Sequence, residues 1–209
     1  MVGSMIIGVF GGTFDPVHNG HMVAAREVVN QLALDKLYMV VAGMPWQKVD
    51  HSEITRAEDR FAMVRVALED PEWATSLHGV EASRMEIDRS GLSYTADTLL
   101  DLHNQHPGDD LVLVVGSDVA ADMHTWHRVD EVAKLCRLAV VTRKLGEISP
   151  APAISSCTDL GFDVVAVSIP FEDISSSEVR RRIASGESIT GMVPGSVEAY
   201  IKEKGLYRE

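Results

Sequence analysis

Only two cysteines, Cys136 and Cys157, occur in the 209 residues, and they share no motif spacing. That excludes a disulfide framework and a Cys-x-x-Cys metal site, and both thiols read as reduced, structural side chains rather than nucleophiles. No apolar run approaches the length of a membrane span, and the N-terminus has neither the basic region nor the long apolar stretch of a secretion signal. A cytoplasmic protein with no membrane partner is therefore expected. Cations are scarce: 19 Lys and Arg stand against 31 Asp and Glu, a formal net charge of -12. Coating a nucleic-acid backbone requires many Lys and Arg contacts, so nucleic acid is not an expected partner. A small anionic substrate is compatible with this charge only where local positive groups overcome the overall field, which makes the placement of the few cations informative. They cluster at Arg143-Lys144 after a strand and at Arg180-Arg181-Arg182 on a helix.

Several signatures are missing as well. No G-x-G-x-x-G follows the first strand, and the second strand ends at Ala42-Gly43 with no acidic residue to hold a ribose, which argues against a conventional dinucleotide site. The absence of G-x-x-x-x-G-K-[ST] removes the P-loop NTPases, and the absence of H-E-x-x-H disfavours a zinc site. No internal repeat, linker or low-complexity tract interrupts the chain.

With 45% apolar and 24% charged residues, the chain can bury a full core. Strand-like runs at Ile6–Phe10, Leu37–Ala42, Leu111–Gly116, Leu138–Thr142 and Val164–Ile169 alternate with helical periodicity at Met22–Leu34, Arg56–Leu68, Tyr94–His106 and Val129–Leu135. Thr75–Asp88 is less regular and can add a further strand. This alternation predicts an α/β fold, an open, doubly wound parallel sheet of Rossmann-like type, in one domain over residues 1–209 with a small helical part from about residue 174. Two segments, Gly43–Thr55 with Trp46 and Lys48, and Lys144–Ser156 with two prolines, read as mobile loops at strand ends.

The most informative run is Gly11-Gly12-Thr13-Phe14-Asp15-Pro16-Val17-His18-Asn19-Gly20-His21, set between the first strand and the first helix. Gly11 and Gly12 are expected to take backbone angles closed to other residues and to let a ligand reach the main chain. The helix start near Asn19 offers unpaired N–H groups and a positive dipole end, which favour an anion. His18 and His21 are expected on one face of its first turn, both able to donate to one phosphate group. The spacing alone is weak, since it recurs at His103/His106 and His124/His127. A zinc site is disfavoured because no third ligand is evident. The glycine-rich context is what separates the first pair.

A second constellation, Ile174-Ser175-Ser176-Ser177-Glu178-Val179-Arg180, enters a helix running through Ile183. Ser175-x-x-Glu178 fits a capping box that needs no ligand. Arg180 to Arg182, however, are expected near the positive end of that helix, where the dipole disfavours them unless phosphate oxygens are present. Arg180 is the expected inward-facing member.

Together, G-G-T-F-D-P-x-H-x-G-H and I-S-S-S-x-V-R resemble the paired signatures of the H-x-G-H nucleotidyltransferase superfamily. Within it, Ser93–Leu99, Gly116-Ser117-Asp118 and Thr125-Trp126-His127 resemble the bacterial nicotinate-nucleotide adenylyltransferases, and the resemblance runs from Ile6 to Tyr207. It implies the nucleotidyltransferase version of the Rossmann-like fold and transfer of AMP from ATP to nicotinate mononucleotide, a step in NAD biosynthesis, with Mg²⁺ carried mainly on ATP phosphates. It also implies that Gly11, Gly12, Thr13, Phe14, His18, His21, Gly116, Asp118, Ile174, Ser175, Ser176 and Arg180 bind ATP, with His18, His21 and Arg180 catalytic and no protein metal ligand. For the mononucleotide it points to Thr13, Lys48, Tyr94, Thr95, Asp118, Trp126, His127 and Arg143, with the Trp126 ring stacked on the pyridine and main-chain groups at Trp126-His127 meeting the carboxylate. Ser177 stands where the family often has threonine, and Trp46-Gln47-Lys48 replaces a P-x-H-[KR] run. Read without the resemblance, Trp126 is a core aromatic, and Thr95 and Asp118 are helix caps. Other acceptors, nicotinamide mononucleotide or phosphopantetheine, and a non-catalytic nucleotide sensor remain as alternatives, and a homo-oligomer is compatible with the sequence.

Overall fold

In the computed structural model, residues 3–45, 54–143, 151–170 and 173–208 are described. Six strands form one parallel sheet: β1 Ile6–Gly12, β2 Lys36–Val41, β3 Val80–Ser83, β4 Asp110–Gly116, β5 Arg137–Arg143 and β6 Val164–Ile169. Their order is β3-β2-β1-β4-β5-β6, so the winding reverses between β1 and β4. In open parallel sheets a crevice forms at such a reversal, outside the carboxyl ends of the two strands.

Alternation along the central strands divides the interior into two layers. On β4, Val112 and Val114 face one layer while Leu111, Leu113 and Val115 face the other; β5 does the same with Ala139 and Val141 against Leu138 and Val140. The first layer is completed by α1 Asn19–Leu32, α2 Ala57–Leu68, α8 Ser176–Ala184 and α9 Gly195–Lys204. The second is covered by α4 Thr95–Gln105, α6 Val129–Leu135 and α7 Ala151–Asp159. Two short helices, α3 Met85–Asp88 and α5 Ser117–Ala121, sit near the ends of β3 and β4.

Three expectations are corrected. The stretch Lys144–Ser156 is not loop throughout, because α7 begins at Ala151; Pro152 falls in its first turn, where a missing N–H costs no helical bond. Gly11 and Gly12 lie within β1 and take no left-handed angle. The positive φ in this loop belongs to Phe14, at 49°. Finally, α8 is only nine residues long, so Arg181 and Arg182 fall in its last turn, where the dipole favours them. They pair there with Glu178 at 2.8 Å each, so neither opposes the helix dipole.

Candidate active site

A cleft of about 550 Å³ opens at the carboxyl ends of β1 and β4. One wall is Gly11 to Phe14 with His18 and His21; a second is Gly116 and Asp118; a third is Thr95 and Trp126; the fourth is Ile174, Ser175 and Ser176. Five stretches of the chain, from residue 11 to residue 176, thus share one space.

His18 is not inside the helix. It is the N-cap residue of α1, with extended backbone angles, and His21 is three residues into the helix. The His18 main-chain N–H donates to His21 Nδ1 at 3.2 Å, and the two rings stack with centroids 3.7 Å apart. An imidazole that accepts at Nδ1 carries its proton on Nε2 when neutral, which leaves His21 a donor at the other ring nitrogen. Phe14 supports the pair: its ring meets His21 edge-on at 5.0 Å and Phe10 at 5.7 Å. Gly12 is required for this, because a Cβ there would stand 2.8 Å from the Phe14 ring. Phe14 is itself 2% exposed, so it shapes the cleft mainly from behind.

The second constellation reaches the same loop. Ser175 Oγ accepts the Glu178 amide at 3.2 Å and caps α8, while Ser176 Oγ donates to the Pro16 carbonyl at 2.9 Å. Arg180 donates from Nη1 to the Asp15 carbonyl at 2.6 Å, so it stands behind the loop and is not among the residues lining the cleft. Across the opening, Asp118 lies in the first turn of α5 rather than at its cap, which is Gly116; a Cβ on Gly116 would approach Asp118 Oδ1 to 2.5 Å.

At the far end, Thr95 opens α4 and Trp126 follows a 3-10 turn, with its indole Nε1 buried and lacking a partner among the described residues. The Trp126 main-chain N–H donates to Met123 O at 3.0 Å and is thereby committed. Tyr94 and His127 do not line the cleft. Their rings pack on each other at 4.6 Å beside it. Lys48, with Trp46 and Gln47, lies outside the described residues; Arg143 ends β5, and its side chain is likewise outside them.

Cys136 and Cys157 are buried, and burial pushes the Cys136 thiol up to about 12 and raises that of Cys157, which keeps both protonated. Among the described residues no group of three or more His, Cys, Asp or Glu could hold a metal ion, and no helix is long and apolar enough to cross a membrane. Sequence reasoning missed Asp15, Arg60, Asn19 and Tyr207. Asn19 ties the helix start to the Gly191 and Met192 carbonyls at 2.9 Å each, while the other three meet beneath the loop. Asp15 stood inside the leading motif, but nothing in the spacing marks Arg60 or Tyr207.

Residues 9–182 match the family model described as cytidylyltransferase-like. A protein of Saccharopolyspora erythraea named probable nicotinate-nucleotide adenylyltransferase is 41% identical over 97% of this chain and 89% of its own length. The chain belongs to the nicotinate-nucleotide adenylyltransferase family. A relative of the same name from Thermus thermophilus is 38% identical, covering 98% of this chain and 100% of its own. Among solved structures, Plasmodium falciparum nicotinic acid mononucleotide adenylyltransferase complexed with NaAD superimposes with a TM-score of 0.80 over 97% of each chain, at 19% identity. At that identity the likeness concerns the fold, the Rossmann-like nucleotidyltransferase architecture.

Proposed function

We propose that this chain, one nucleotidyltransferase domain with a helical C-terminal part from about residue 174, transfers AMP from ATP to nicotinate mononucleotide. The products are nicotinate adenine dinucleotide and pyrophosphate. The observation that carries the reading is the convergence of the stacked His18–His21 pair and the Ser175-Ser176 start of α8 on one cleft, with Thr95 and Trp126 at its other end.

A phosphate monoester is already an anion at neutral pH, so one of its oxygens can attack the α-phosphorus of ATP directly. The bond to the bridging oxygen breaks as the new one forms, and pyrophosphate leaves. No protein nucleophile or strong base is needed; the site must align two anions and stabilise their charge. In this reading His18 and His21 donate to the triphosphate beside the N-terminus of α1, with Gly11, Gly12 and Thr13 leaving room for the nucleotide. Ser175, Ser176 and Ile174 hold the pyrophosphate end, and Arg180 backs it through its bond to the Asp15 carbonyl. Asp118 and Gly116 meet the sugars, and Thr13 lies between the two substrates. Thr95 and Trp126 contact the nicotinate, Tyr94 and His127 buttress that end, and Lys48 and Arg143 serve the phosphates or the closing loops. The groups at the phosphate end are imidazoles, main-chain N–H groups and serines, which suit an anion, and the nearby Asp15 carboxylate is occupied by Tyr207 and Thr55. That donor set fits Mg²⁺ carried in on the ATP phosphates, where it supplies further charge neutralisation. A cytoplasmic setting goes with ATP as donor.

The test mixes the protein with ATP, Mg²⁺ and, in turn, nicotinate mononucleotide, nicotinamide mononucleotide and phosphopantetheine, and follows pyrophosphate. Release should be fastest with the nicotinate compound. No release with any acceptor would overturn the enzymatic reading in favour of a sensor, and preference for another acceptor would reassign the Thr95–Trp126 end.

A further inference from the structure

Beneath the loop 13–16 lies a buried network of Arg60, Asp15, Tyr207 and Arg180, of which only Asp15 is among the residues lining the cleft. Arg60 on α2 is 1% exposed, and its guanidinium donates to three main-chain carbonyls: Nη1 to Thr13 at 2.7 Å, Nε to Thr55 at 2.8 Å and Nη2 to Gly43 at 3.2 Å. Asp15, 4% exposed, accepts the Tyr207 hydroxyl on Oδ1 at 2.6 Å and the Thr55 amide on Oδ2 at 3.3 Å. The carbonyl of the same residue takes the Arg180 guanidinium. Burial, reinforced by the bond to Asp15, pushes the Tyr207 hydroxyl far above its ordinary value, so it stays a donor at every working pH.

As a means of stability this arrangement is inefficient. Desolvating a guanidinium and a carboxylate costs more than packing apolar groups of similar volume, so a buried charge network is weak evidence of a stability role. Its contacts are also specific in another way: Arg60 spends its donors on carbonyls that set the course of the main chain, at Thr13 in the nucleotide loop and at Gly43 after β2. We propose that Asp15, Arg60 and Tyr207 are positioning residues that fix the 13–16 main chain against Arg180, making the C-terminal tail part of the working active site. This inference rests on the adenylyl-transfer reading for its kinetic consequence, though not for its structural one. Tyr207 follows α9 at a left-handed φ of 62° and bonds a residue 192 positions earlier.

Tyr200 provides an internal control. Its hydroxyl also donates to a carboxylate, Asp59 on α2, at 2.9 Å, but away from the loop. Tyr207→Phe and Tyr200→Phe therefore each remove one hydroxyl–carboxylate bond, and each should move Tm by about 4 °C or less. Only Tyr207→Phe should lower kcat, by about 10- to 100-fold, with KM for ATP and for nicotinate mononucleotide changed far less, because misplacement by an ångström acts on the transition state. Arg60→Lys, which keeps the charge but cannot reach three carbonyls, should reproduce that split. Hydrogen exchange at the Thr55 amide and at the amides of residues 13–15 is read in the same variants and should speed up with Tyr207→Phe but not with Tyr200→Phe. If the wild-type protein releases no pyrophosphate, the adenylyl-transfer reading fails and exchange alone judges the network. Wild-type kcat in Tyr207→Phe of an active enzyme, or unchanged exchange in an inactive one, would overturn the proposal. So would a kcat loss that merely follows the folded fraction in both Tyr207→Phe and Arg60→Lys.

Discussion

His18 and His21 owe their arrangement to the side chains, and the missing side chain, around them. Phe14 can sit under the His21 ring because Gly12 has no side chain, and the N-cap geometry of His18 brings the imidazoles into a stack at 3.7 Å. Donors held in place before charge moves contribute most to the transition state, so His18→Ala should lower kcat by about 10²- to 10³-fold while leaving the Kd for ATP within about tenfold. Steady-state kinetics beside calorimetry of ATP binding checks this, and near-normal turnover would remove His18 from catalysis. The two histidines were readable as a pair from the glycine-rich run around them. Their stack was not, because it depends on His18 being a cap rather than a helical residue, a difference of one position that spacing cannot resolve.

Helix α8 shows how one element can serve both stability and the site. Its N-terminal end faces the cleft through Ser175 and Ser176, and its last turn is closed by a cluster in which Arg181 and then Arg182 hold the Glu178 carboxyl at about 2, against an ordinary 4.5. A group depressed in the folded state contributes stability that is complete above its unfolded value and is lost as pH falls toward the folded one. Urea midpoints of the wild type and Glu178→Gln should therefore differ at neutral pH and converge as pH drops from 4.5 toward 2. A gap that persists near pH 2 would show that the cluster is not the cause. Strands were the elements easiest to infer, because β1, β4, β5 and β6 each hold an apolar stretch, at Ile6–Phe10, Leu111–Val115, Leu138–Val141 and Val164–Val167. The short β3, buried at only one of its four positions, carries a weak periodic signal because little of it is committed to a core face, and α7 is obscured by the prolines at and just before its start.

The C-terminal helices are held to the sheet layers by a few directional bonds as well as by packing. Asp70, after α2, accepts the Ser196 amide at 2.9 Å at the start of α9 and the Glu72 amide at 3.0 Å. Burial pushes its carboxyl up, but these amides prevail and hold it below the ordinary 3.8. Asp70→Asn should cost about 1–2 kcal/mol at neutral pH, with the difference fading as pH falls through and below 3.8, and should speed hydrogen exchange over 195–207 before the sheet is affected. Unchanged exchange there would mean that apolar packing alone docks α9. Periodicity and residue type in the chain were sufficient for a doubly wound parallel sheet and for singling out the two segments that line one cleft, since both follow from local pattern and from the chemistry of glycine, histidine, serine and arginine. The meeting of Asp15, Arg60, Arg180 and Tyr207 under one loop was decided only by the tertiary structure. Hydrogen bonds to main-chain carbonyls leave no periodic trace, and it is the order of the strands and the docking of α8 and α9 that bring these distant residues to the same place.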